Sequence, residues 1–312
     1  MYRELTTLQE FSYLQCLTLG LPHIMFAVNF TIPKGEFMFF PVYILSLLLS
    51  FALPINAQDL INNQSSFTDL KTMIGSIVPL RADGKMHIPA HIKHVKLDIG
   101  LSNHAPMSQY WLTHEDDLLV FGFEPSPRSV DAILNGKTKW HQLVLDTKFI
   151  GKKFFLIPCA LGLAKNRSIK FYVTGTDSLT GNDCGCSSIY IPKYFDVCEV
   201  VEVPIFSLSD FFDLFPFDTH PVIDYIKIDA QGADLDIAKS AGHYLAERVV
   251  YITLEAENDQ YKNTVNSFQD VDNYMKRLGF VRYESHYTLD PTYFNPRYLD
   301  YVQNHHIQIF QG

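Results

Sequence analysis

Between Val95 and Pro127 two apolar runs, Val95 to Ile99 and Leu118 to Phe123, flank a segment of helical length, and acidic residues, Asp98 and Glu124, stand at their ends. Runs this short and apolar read as buried strands, and the helix between them makes a βαβ unit. That unit points to an α/β fold. Acidic residues at strand ends are what a nucleoside ribose and a cationic cofactor need, so the stretch reads as the cofactor half of an enzyme.

The chain continues to alternate strand and helix signals. Ser126 to Asn135 reads as a helix with Ser126 as cap and Pro127 in its first turn. Phe154 to Leu161 is an apolar run of strand length, and Arg167 to Val173 alternates as a half-buried strand does. Val200 to Pro204 is a short strand, after which Ser207 or Ser209 opens a helix. Tyr225 to Asp229 and Val249 to Glu255 are strands on either side of a helix from Ala233 to Ala241, with Gly242 as its stop. Ser267 to Leu278 has helical apolar spacing and ends at Gly279, and the last two strands are expected at Phe280 to Tyr283 and Ile307 to Phe310. Thr174 to Ser188 is rich in Gly, Ser, Thr and Asp and reads as a loop, of a length usually functional or disordered.

Hydrophobic residues make up 47% of the chain and aromatic ones 14%, enough for a large core. The net charge of −9 and the lack of a basic stripe argue against nucleic acid and favour a small-molecule or carbohydrate acceptor. Cys159, Cys184, Cys186 and Cys198 fit either two disulfides of a lumenal domain or free thiols. No metal site is assigned, because no second Cys-x-x-Cys or spaced His pair completes Cys184-Gly-Cys186.

Residues 1–57 read as a targeting region. Phe37 to Leu53 is uncharged and apolar, and Ile55-x-Ala57 follows it as a signal-peptide cleavage site would, with Met38 as an alternative start. Left uncleaved, the segment is a membrane anchor with Lys34 on the cytosolic side. Both readings send the domain into the secretory pathway, and sequons at Asn29, Asn63 and Asn166 agree with that route. Residues 58–84 form a polar leader with a helix near Phe67 to Val78 that Pro79 stops, and the globular domain is expected over 85–312.

Ligands of open α/β sheets lie beyond the carboxyl ends of the strands. Those ends bear Asp98 and Gly100, Glu124, Cys159 and Ala160, Asp229, and Glu255. Gly100 lets the backbone turn tightly, Asp98 can hold an ammonium group, and Glu124 can accept two ribose hydroxyls. The run Asp-Ile-Gly-Leu-Ser-Asn-His lacks the glycines of a pyrophosphate cradle, which disfavours a dinucleotide.

LDIG followed by SN, FGFEPSP, IPCALG, the Ser187-Ser188 pair, FSLSDFF, YIKIDAQGADLDIAKSA and YITLEAE stand in this order over most of Val95 to Glu257. In motif order and spacing the chain resembles the FkbM-type S-adenosylmethionine-dependent methyltransferases. The resemblance implies a Rossmann-like, seven-stranded class I methyltransferase sheet with helices on both faces and the last strand inserted antiparallel. It also implies S-adenosyl-L-methionine as cofactor and methyl transfer to a hydroxyl of a sugar, glycan or other small polar acceptor. The positions matching the family's cofactor pattern are Asp98, Gly100, Asn103, Glu124 and Ala160. Asp229 is the first candidate for the group that orients or deprotonates the acceptor, His104 the second, and Asp234 and Glu255 follow. The polar loop Thr174 to Ser188 and the aromatic region Tyr287 to Tyr301 are expected to build the acceptor side. The family commonly has glycine where His104 stands and an acidic residue where Gln231 stands. Those two departures motivate the alternative, a methyltransferase-like binding protein without turnover.

Overall fold

The computed structural model describes residues 69–312 except 139–142, 164–166, 176–184, 257–258, 284–288, 306, 308 and 310–312. Phe37 to Leu53, the expected cleavage site, the sequon asparagines and most of the Thr174 to Ser188 loop lie outside the described residues. Among the described residues no helix is long and apolar enough to cross a membrane.

The elements are α1 (Leu70–Ile77), β1 (His94–Ile99), α2 (Pro106–His114), β2 (Leu118–Phe123), α3 (Pro127–Leu134), β3 (Phe154–Ile157), β4 (Ala160–Leu161), β5 (Ser168–Thr174) and β6 (Val197–Phe206). They continue with α4 (Leu208–Leu214), β7 (Ile223–Ile228), α5 (Asp234–Ser240), α6 (His243–Arg248), β8 (Val249–Leu254), α7 (Phe268–Arg277), β9 (Val281–Arg282), β10 (Thr292–Phe294) and α8 (Leu299–Asn304). Helix starts follow capping chemistry: Ser126, Ser207 and Ser267 each accept a backbone N–H from the first turn of α3, α4 and α7, and Ser207 completes a capping box with Asp210.

Seven strands form one sheet in the order β3-β2-β1-β7-β8-β10-β9. Neighbours are parallel except at β10, which runs antiparallel to both β8 and β9 and lies between them. This is the strand arrangement that the resemblance implies. The strand order reverses between β1 and β7, the switch point where a parallel sheet opens a crevice.

Period-two alternation divides the apolar side chains between two cores. Leu97, Ile99, Leu119, Phe121 and Phe123 join the first, closed by Met73 and Ile74 of α1, Phe211 and Phe212 of α4, Ile237 of α5 and Met275 of α7. Leu118, Val120 and Val250 join the second, under Trp111 of α2 and Val130 and Ile133 of α3. Helices therefore cover both faces. Because Met73 and Ile74 are fully buried, the packed body takes in α1, upstream of Lys85. Each such side chain contributes roughly 2 kcal/mol by leaving water.

Three sequence expectations change. The run Phe154 to Leu161 is two strands: it breaks at Pro158-Cys159, where the Cys159 N–H turns back to the Ile157 carbonyl, and β4 leaves the main sheet for a second one ordered β4-β6-β5. The strand expected at Val200 to Pro204 spans ten residues, because its exposed first half pairs with β5. Among the described residues the closing strand is β10; of the expected strand Ile307 to Phe310, Gln308 and Phe310 lie outside the described residues, and Ile307 and Ile309 pack against the second core. Cys159 and Cys198 are free thiols, and Cys184 lies outside the described residues.

β1 alternates ionisable with apolar residues, yet all six of its residues are buried. α2 and its neighbours satisfy the ionisable set. Lys96 is ion-paired with Glu115 and sits 5.2 Å from the Trp111 ring centre, Asp98 accepts from Ser108, and His94 meets Asp224 at 3.2 Å. Burial pushes Lys96 down and Glu115 up, each toward its neutral form, while their mutual attraction opposes the shift. Glu115→Ala is expected to destabilise the fold by about 3 kcal/mol or more, because it strands a buried ammonium. The pair Lys96→Met with Glu115→Leu is expected to recover most of that loss in denaturant unfolding. Equal stability of the single and double variants would contradict this account.

Candidate active site

At the carboxyl edge of the sheet, the first residue past each strand is tied by its N–H to the end of the neighbouring strand. Gly100 donates to the Phe123 carbonyl at 3.0 Å, Glu124 to Ile157 at 3.2 Å, Asp229 to Ile99 at 2.9 Å and Glu255 to Ile228 at 3.1 Å. These bonds extend the ladder one residue beyond the strands and fix four turns relative to one another. Gly100 has φ +83°, and a Cβ there would lie 1.8 Å from the Asp229 carbonyl oxygen, so the turns after β1 and β7 meet backbone to backbone. Only glycine fits that approach.

The crevice above these turns is lined by Gly100, Ser102, Glu124, Ala160, Asp229 and Gln231 on its polar and backbone sides. Ile99, Phe123, Leu161 and Phe171 form its apolar walls. Its space, open mouth included, is about 650 Å³. β4 leaves the main sheet at Pro158-Cys159, and that departure brings Ala160 and Leu161 to the wall. The fully buried Cys159 thiol also lines the cleft, and burial pushes it well above the ordinary thiol range.

Of the residues expected from sequence, Gly100, Glu124, Ala160 and Asp229 share this cleft. Glu124 is 4% exposed and accepts the Ser126 N–H at 2.8 Å, which fixes the carboxylate at the end of β2. Asp98 does not line the cleft. It is 1% exposed, and its Oδ2 accepts the Ser108 N–H at 3.1 Å and the Ser108 hydroxyl at 2.6 Å. Burial raises its carboxyl, against the pull of Lys227. Asn103 and His104 also lie outside the lining: Asn103 Oδ1 meets His104 Nδ1 at 2.9 Å, and burial followed by the Lys227 charge lowers His104 below the usual imidazole value. Ser102, one residue away, reaches the cleft instead.

Asp229 is held by donors on both oxygens. Lys227 Nζ stands 2.8 Å from Oδ2 and Gln231 Nε2 stands 2.9 Å from Oδ1. Burial pushes the carboxyl up, but the Lys227 ammonium and the hydrogen bonds outweigh it, so Asp229 titrates below the ordinary aspartate range. The same Gln231 amide donates to Glu255 Oε2 at 2.7 Å, while Gln231 Oε1 accepts from the Tyr261 hydroxyl at 2.7 Å. Gln231 thus ties two carboxylates together where a third carboxylate would repel them. Its backbone is anchored as well, since the Ser188 hydroxyl donates to the Gln231 carbonyl at 2.7 Å.

Asp234, not Asp229, braces the turn before α5. Fully buried, it accepts the N–H groups of Ala230 at 3.2 Å, Gly232 at 3.2 Å and Glu255 at 3.3 Å, and so binds the β7 turn to the β8 turn. Burial, with the Asp229 charge, pushes its carboxyl up to about 7 against the pull of those donors. Among the described residues of the aromatic C-terminal region, Tyr293, Tyr298 and Tyr301 do not line the cleft. Tyr293 is buried in the core, Tyr298 donates to the Glu247 carbonyl, and Tyr301 donates to Asp224 at 2.8 Å, at the amino end of β7. Tyr287 lies outside the described residues.

Sequence reading passed over Ser102, Lys227 and Tyr261. A lysine inside the apolar run Tyr225 to Asp229 was the available signal, because a buried ammonium needs a partner. Tyr261 carried none, since its role depends on a loop folding back over Gly232, whose missing Cβ would come 2.9 Å from the ring.

Residues 108–282 match the family described as Methyltransferase FkbM domain. The matched span holds Glu124, Ala160, Lys227, Asp229 and Gln231, and β1 with Gly100 precedes it. No curated protein matches, and no solved structure does.

Asp234→Asn is expected to lower stability by about 2 kcal/mol in denaturant unfolding, because an amide NH₂ would replace an acceptor facing buried N–H groups. An unchanged midpoint would remove Asp234 from its bracing role.

Proposed function

The chain belongs to the FkbM methyltransferase family, and from that premise we propose that it transfers a methyl group from S-adenosyl-L-methionine to a hydroxyl oxygen of a sugar, glycan or other small polar acceptor. The observation that carries the reading is one cleft at the switch point with Glu124 at the end of β2 and Asp229 at the end of β7. The donor set suits the cofactor. A nearly buried carboxylate matches a ribose diol, apolar walls match an adenine ring, and no phosphate cradle is present in the Gly100 turn.

When bound, the cofactor supplies a methyl group on a sulfonium: the hydroxyl oxygen bonds to carbon as the carbon–sulfur bond breaks, and sulfur keeps that pair. The protein's tasks are alignment and removal of one proton. Glu124 would hold the ribose hydroxyls, the walls around Phe123 and Leu161 would hold the base, and the Gly100 turn would offer close backbone approach to the cofactor. Asp229 accepts the hydrogen bond of the acceptor hydroxyl and takes its proton as the oxygen bonds to carbon. Its depressed basicity suits orientation first and proton acceptance late, when the methylated oxygen has become strongly acidic. Asp98 acts from behind, by holding α2 onto the β1 turn.

Gln231 favours a second reading, a binding protein without turnover, because an amide stands where the family commonly has an acid. Its donation to Asp229 and Glu255 argues for the enzyme, since it leaves Asp229 ionised and oriented. We further propose that Phe37 to Leu53 routes the domain into the secretory pathway.

Calorimetric titration of the purified domain with S-adenosylmethionine is expected to show binding that Glu124→Ala weakens at least tenfold; equal affinity would sink the site assignment. On a panel of methyl glycosides, transfer by the wild type and at least a hundredfold loss in Asp229→Ala are expected. Donor binding without any product would favour the binding-protein reading. For the route, mass spectrometry of protein recovered from the medium is expected to find an N-terminus near Gln58, or else full-length protein in the membrane fraction. Full-length protein confined to the soluble cytosol would refute it.

A further inference from the structure

Lys227 is a lysine in the central strand of the sheet, flanked by Ile226 and Ile228, which are fully or almost fully buried. Its side chain is 20% exposed, that of Asp229 38%. A methionine would fill the same space without the penalty of desolvating an ammonium, so packing alone does not account for a charge here. The position has a geometric use. Lys227 lies opposite Asp98 in the β1–β7 ladder and two residues before Asp229, and this spacing brings Nζ to 2.8 Å from Asp229 Oδ2.

We propose, resting on the methyl-transfer reading above, that Lys227 is the positioning residue of the acceptor site, acting through Asp229. Its ammonium and the Gln231 amide donate to separate oxygens of Asp229, and Glu255 hydrogen-bonds the same carboxylate, so that its plane is fixed. The exposed part of the carboxylate is then a charged acceptor with a fixed plane, aimed at a hydroxyl in the cleft. During transfer the hydroxyl proton passes to Asp229 and on to solvent, and Lys227 keeps its own proton throughout. The charges around the pair come from every neighbouring turn: Asp98 beside Lys227 on β1, Glu255 after β8, Asp290 before β10, Asp234 at α5 and His104 after β1. Burial would lower Lys227, but Asp229, Asp98 and Glu255 hold it above the ordinary lysine range, so it stays charged at every working pH. Without it, Asp229 would face Asp290 and Asp234 uncompensated and would take up a proton more readily.

The test uses Lys227→Met and the charge-retaining Lys227→Arg, with ¹³C-carboxyl NMR titration of aspartate-labelled protein, Asp229 being assigned through Asp229→Asn. In Lys227→Met, Asp229 is expected to titrate at least one pH unit higher. The acid limb of kcat on methyl glycosides is expected to move up with it, since activity needs the ionised carboxylate and is lost as pH falls through its pKa. Affinity for S-adenosylmethionine is expected to stay within threefold. Lys227→Arg is expected to keep the low Asp229 titration and the acid limb, and it carries the test if the methionine variant fails to fold. An Asp229 titration unchanged in Lys227→Met, or raised equally in Lys227→Arg, would overturn the role of Lys227. An absence of methyl transfer by the wild type would count against the function itself, and the NMR titration would still decide the Lys227–Asp229 relation.

Discussion

Everything at the carboxyl edge of this sheet depends on the contact between Gly100 and the carbonyl of Asp229. A Cβ at position 100 would overlap that oxygen, so the close approach of the two turns exists only because the residue is glycine with positive φ. The approach lets the Asp229 N–H reach the Ile99 carbonyl, and the same ladder step repeats at Gly100, Glu124 and Glu255. Four turns are thereby locked to a rigid sheet instead of hanging from it. Glu124 and Asp229 inherit positions set by backbone hydrogen bonds, the precision that a reacting centre requires.

The sheet carries charge on the side that α2 covers. His94, Lys96, Asp98 and Lys227 stand where apolar residues would be more stable, and each has a partner: Asp224, Glu115, Ser108 and Asp229. Toward the amino end the partners are structural and tie α2 and α8 to the strands, with Tyr301 also donating to Asp224. Toward the carboxyl end Asp229, the partner of Lys227, opens onto the cleft. The same device, a buried ion with a designated partner, thus serves cohesion at one end and preorganisation at the other.

Much of the fold was legible because its signals are local. β2 has the bounds its apolar run predicts, α3 and α7 start at the serines that cap them, and Gly279 ends α7 as a left-handed residue. Misreadings fell where a local signal competed with pairing. An unbroken apolar run hid the turn at Pro158-Cys159, and the three residues of β10 were too few for periodicity to register. The helix expected near Phe67 to Val78 forms as α1, and its Leu70, Met73 and Ile74 reach the core. At the site, strand-end logic found Gly100, Glu124, Ala160 and Asp229, because the end of a strand is readable. Asp98 and Asn103 stand outside the cleft lining, because which way a turn residue faces depends on the helix that follows.

By itself the sequence determined the succession of strands and helices, the glycine on which the two turns close, and a carboxylate at the end of each central strand. Those properties reside in single residues and their neighbours, where sterics, capping and periodicity act over a few positions. The tertiary structure alone decided which carboxylates line the cleft and which are braces. Asp98 and Asp234 turned inward to backbone donors and a serine, whereas Asp229 was left between Lys227 and Gln231 with part of its surface open. The reason is electrostatic: a carboxylate's role follows from the donors around it, and here Lys227 of β7 and Gln231 of the turn before α5 donate to Asp229, while Tyr261, which only folding brings there, holds the Gln231 amide.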